Sequence, residues 1–67
     1  MTALQIKNQL EDLQAERALA DIAGLADNGI YMLDLEGEIA ATSTALVATA
    51  VTEIATLRAE MFGPQVG

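Results

Sequence analysis

From Glu38 to Phe62 the chain reads EIAATSTALVATAVTEIATLRAEMF, with apolar residues recurring at helical spacing. At about 100° per residue, Ile39, Leu46, Ala50, Ile54, Leu57 and Met61 fall on one face. Thr49, Thr52, Glu53, Thr56 and Glu60 read as the polar side. The pattern predicts one long amphipathic helix, and such a helix must bury its apolar stripe against something.

Only one other segment has comparable length. Thr2 followed by Gln5 has the form of a capping box, and a first helix is expected over about 3–26. Its first half places Ile6, Leu10 and Leu13 together. Its second half places Leu19, Ile22 and Ala26 nearly opposite, in line with Leu4 and Ala15. No Pro or Gly lies at the switch near Ala15 to kink the helix, so packing on two sides is expected. The expected hairpin core is therefore Ile6, Leu10, Leu13, Leu46, Ile54, Leu57 and Met61. Leu4, Leu19, Ile22 and Ala26 form the candidate protein interface, facing a second copy or a larger protein.

Asp27, Asn28 and Gly29 read as a helix terminator, with Asn28 or Gly29 in the left-handed conformation. A connection over about 27–38 follows, then the second helix over about 39–62. Gly63 and Pro64 stop it, leaving a short tail. The segment IYMLDLEGE is ambiguous, and its loose alternation gives an alternative α+β fold with a short strand hairpin at 30–42. The favoured class is all-α, an antiparallel hairpin of two long helices completed to a bundle by oligomerisation or a partner. Ile6, Leu10, Leu13 and Arg17 keep a heptad spacing for two turns only. The second helix stutters where Glu53 stands beside Ile54, so an extended zipper is not expected.

Completion from outside is expected because the chain is small and has no staple. It has 67 residues, no Cys, no His and no Trp, so neither a disulfide nor the usual zinc site can reinforce an aliphatic core. Thr42, Ser43, Thr44, Thr49, Thr52 and Thr56 weaken the second helix as an isolated element. The formal charge of −7 repels phosphates, which argues against direct nucleic-acid binding and adhesion to anionic lipid. No signal peptide is evident and no run reaches about 18 apolar residues, so no membrane partner is expected and a cytoplasmic or virion-associated location fits.

Catalytic chemistry finds no support. Without His or Cys, the common nucleophilic constellations cannot be built within one chain. Asp27 to Glu38 has the length of a calcium loop but carries Gly29, Tyr31 and Met32 where oxygen ligands and a glycine turn are needed. Asp34, Glu36 and Glu38 read as a solvated acidic turn. Lys7 with Glu11, and Arg17 with Asp21, read as surface pairs one helical turn apart. No metal, cofactor or enzymatic activity is expected.

The function expected is that of a non-enzymatic helical assembly or adaptor protein. The alternative is a small acidic inhibitor, or nucleic-acid mimic, that binds a basic protein. The order helix, turn-rich segment around Leu35, Glu36, Gly37 and Glu38, then helix and brief tail is similar to the layout of small phage head-to-tail joining proteins of the lambda W type. That resemblance implies a structural role in a virion. It covers element order without a shared motif, and those proteins have a basic surface where this chain is acidic. No residue role carries over.

Overall fold

The computed structural model describes residues 1–63. The expected stop at Pro64 and tail of Gln65, Val66 and Gly67 lie outside them. Helix α1 (Ala3–Ile22) and helix α2 (Gly29–Phe62) are joined by a turn containing a 3-10 segment at Leu25–Asp27. The helices run antiparallel as the expected all-α hairpin, and no strand occurs among the described residues. The strand pair considered for 30–42 is replaced by continuous helix.

The capping box forms as its sequence predicts. Thr2 Oγ1 accepts from the Gln5 N–H at 3.2 Å, and Gln5 Oε1 accepts from the Thr2 N–H at 2.8 Å. The far end of α1 comes earlier than expected, at Ile22, because Gly24 takes the left-handed conformation with φ 79° and ψ 14°. Glycine adopts it without the Cβ clash other residues suffer. Ala26 consequently sits in the 3-10 turn.

Asn28 opens α2 instead of closing α1. Its Oδ1 accepts from the Tyr31 N–H at 3.1 Å, the bond of an N-cap. The second helix thus begins ten residues before the expected start near 39, and the connection shrinks to 23–28.

Two heptad rows explain why IYMLDLEGE is helical. Ala3, Ile6, Leu10, Leu13, Arg17 and Ala20 alternate at spacings of three and four along α1. Met32, Leu35, Ile39, Thr42, Leu46, Thr49 and Glu53 do so along α2. These rows make the seam. Ile6, Ala20 and Leu35 are buried, while Ala3, Leu10, Leu13, Met32, Ile39, Thr42, Leu46 and Thr49 are half-buried. Asp34, Glu36 and Glu38 remain in water. The hydroxyls of Thr44 and Thr52 donate to the carbonyls of Ala40 and Ala48, each at 3.0 Å, so their own helix satisfies them.

The helices differ in length, 20 residues against 34. The result is a rod of 63 × 15 × 13 Å with a radius of gyration of 17.4 Å. A compact domain of this size would have a radius of about 11 Å. It exposes 5113 Å², where a globular protein of equal mass exposes about 4,000 Å².

Candidate protein interface

Three contacts fix the hairpin register. Glu53 Oε2 accepts from the Ala3 N–H at 2.6 Å, Arg17 lies 3.1 Å from Glu36, and the Tyr31 hydroxyl donates to Glu16 at 2.5 Å. Lys7 and Glu11 pair as expected, at 3.4 Å. Arg17 does not take Asp21 as its partner, because its place in the seam row carries its side chain across to α2. The Glu16 hydrogen bond holds the Tyr31 hydroxyl in its protonated form and raises its pKa, with smaller contributions from desolvation and the carboxylate's charge.

Of the expected hairpin core, Ile6 is buried and Leu10, Leu13 and Leu46 are half-buried along the seam rows. Ile54, Leu57 and Met61 are instead 54%, 53% and 65% exposed. The reason is length: α1 begins opposite Glu53, and among the described residues no other helix lies opposite residues 54–61. The stutter at Glu53 and Ile54 also turns the apolar row away from the seam.

The candidate interface, Leu4, Leu19 and Ile22 on α1 and Ala26 in the 3-10 turn, is exposed throughout. A second set of exposed apolar side chains lies on α2. Ile30, Leu33, Val47 and Val51 join Ile54, Leu57 and Met61 among its exposed large apolar side chains. Met32, Leu35, Thr42 and Thr49 were missed as seam residues. Their heptad spacing was the available signal, obscured by two threonines and by acids that resemble a turn.

Helical spacing sends Glu36 to the side opposite Asp34 and Glu38, and no three His, Cys, Asp or Glu converge on a metal position among the described residues. Two open grooves lie on α2, one lined by Ile30, Leu33, Asp34, Gly37, Glu38 and Ala41, the other running from Thr52 to Glu60. By length and composition alone α2 is long and apolar enough to cross a membrane, with a mean hydropathy of 1.3 over its most apolar window. The turn-rich segment behind the phage-protein resemblance is helix, so the likeness of layout no longer holds.

Comparison with protein-family profiles, curated proteins and solved structures gave no match.

Proposed function

We propose that this chain is a non-enzymatic helical assembly or adaptor protein that acts through protein–protein contacts. One observation carries the reading: beyond Glu53, where α1 begins, α2 continues with Ile54, Leu57 and Met61 exposed and no other helix among the described residues opposite them. Water penalises such a surface at roughly 25 cal/mol per Å² of apolar area, so covering it favours association.

A bilayer is the other apolar environment that could accept α2. The hairpin register disfavours it, because α1 runs alongside and would carry Lys7, Glu11, Asp12, Glu16 and Arg17 into the hydrocarbon. A second protein surface needs no such cost.

The test is the double variant Ile54→Asp and Leu57→Asp, compared with the parent chain by light scattering and circular dichroism. Loss of the assembled particle with helicity retained is expected. An unchanged particle mass would contradict a role for the overhang.

A further inference from the structure

Resting on that assembly reading, we infer that residues 47–61 of α2 pair with the same residues of a second copy as a parallel, in-register, two-stranded coiled coil. Val47, Ala50, Ile54, Leu57 and Met61 alternate at spacings of three and four. This row is turned by about 80° from the seam row on α2. A helix docked there lies beside α1 rather than in its place, as neighbours do in a bundle. The four large residues of the row are exposed, and α1, which begins opposite Glu53, does not extend along residues 54–61.

The residue types select a second copy and its direction. Placing Val47, Ile54 and Met61 at a puts Ala50 and Leu57 at d. Branched residues at a with leucine at d favour two parallel strands. Glu53 and Glu60 then occupy g, and Arg58 occupies e. In a parallel pair, g of one helix faces the e five residues later on the other. Glu53 of each copy thereby meets Arg58 of its partner, twice by symmetry. An antiparallel pair would set g against g and bring carboxylate to carboxylate.

The existing contacts leave these groups available. Lys7 and Arg17 are engaged with Glu11 and Glu36, whereas Arg58 has no ion pair among the described residues. Glu53 uses Oε2 for the Ala3 N–H, leaving its other oxygen free for a guanidinium. The same carboxylate would then mark both the end of the hairpin and the start of the intermolecular contact.

Because the chain lacks Cys, single cysteines report the geometry directly. Met61→Cys, Ile54→Cys and Ala48→Cys are placed singly in the full chain and equilibrated in a glutathione redox buffer. Parallel pairing brings the a positions of both copies together, so Met61→Cys and Ile54→Cys are expected to form disulfide dimers. Their yield should exceed that of Ala48→Cys, on the opposite face, by at least about tenfold. In an antiparallel pair centred near Ile54, the two Met61 positions would stand about 20 Å apart, beyond disulfide reach.

Linkage at Ile54→Cys without Met61→Cys overturns the parallel arrangement while the assembly reading stands. Linkage at neither position, with the particle still heavier than one chain, moves the contact to another face and also overturns the inference alone. A monomer with neither linkage overturns both.

Discussion

The carboxylate of Glu53 accepts a hydrogen bond from the backbone N–H of Ala3 at 2.6 Å, joining positions fifty residues apart in sequence. An acceptor at the positive end of α1 satisfies a donor that the helix cannot satisfy itself. It also sets the register of the hairpin. The part of α2 on the Gly29 side of Glu53 runs alongside α1, and residues 54–61 extend past the start of α1. Replacing Glu53 with Ala is expected to cost about 1 kcal/mol, the typical value of a helix cap. Thermal unfolding followed by circular dichroism should show a midpoint lower by roughly 4–8 °C. An unchanged midpoint would mean that this contact does not hold the register.

Leu35 and Leu33 separate burial from hydrophobicity. Leu35 is 4% exposed in the seam, whereas Leu33 is 74% exposed on the other side of α2. Leu35→Ala is expected to cost about 2–5 kcal/mol, comparable to the whole stability of a small domain, and so to abolish cooperative unfolding. Leu33→Ala should stay within about 0.5 kcal/mol. Denaturation with urea tests the difference, and equal losses would contradict the seam.

The legibility of this fold followed the same division. In α1 the row Ile6, Leu10 and Leu13 was plain, and the capping box of Thr2 and Gln5 gave the start of the helix. Leu4, Leu19 and Ile22, off that row by helical spacing, are exposed. In α2 the seam passes through Thr42 and Thr49, which are half-buried although their hydroxyls read as polar. Asp34, Glu36, Gly37 and Glu38 imitate a turn because intrinsic preference there is weak, and packing of Met32, Leu35 and Ile39 overrides it. The stutter at Glu53 and Ile54 was visible, but its meaning depends on where α1 starts along α2. That distance is tertiary information. It is why Ile54, Leu57 and Met61 read as hairpin core.

Gly24 tests the turn by backbone conformation alone. Its φ is 79°, and a Cβ added there would meet no atom within 4 Å. Gly24→Ala is therefore expected to destabilise the hairpin by about 1–2 kcal/mol through left-handed strain, without a steric clash. Chemical denaturation measures this. A stabilised variant would mean that the turn relaxes to an ordinary helical conformation.

Tyr31 provides an optical probe of helix pairing, since it is the only tyrosine and the chain has no tryptophan. Hydrogen bonding to Glu16 raises its pKa above the ordinary value of about 10. A raised folded-state pKa gives stability that is fully present below the unfolded value. That contribution is lost as pH rises through the folded value. Ultraviolet titration of tyrosinate should show the midpoint falling in Glu16→Gln. No fall would place the hydroxyl away from α1.

Salt separates self-association from capture of a basic protein. Two copies each carrying −7 repel by about 7 kcal/mol at ~30 Å in water before screening. The Debye length falls from about 30 Å at 0.01 M to about 8 Å at 0.15 M. The two Glu53–Arg58 pairs contribute at most about 1 kcal/mol each, so repulsion governs the sign. Self-association should strengthen as salt rises. Binding of an acidic inhibitor to a basic target would weaken, and light scattering across ionic strengths distinguishes the two trends.

Sedimentation equilibrium of the unmodified chain over a wide concentration range tests most directly whether the uncovered apolar helix is an assembly surface. The chain mass is 7.0 kDa. The expected result is an average mass that rises with concentration to a plateau at twice that value, with helicity retained. A fully helical particle that keeps the mass of one chain at every concentration and ionic strength would contradict self-assembly through α2.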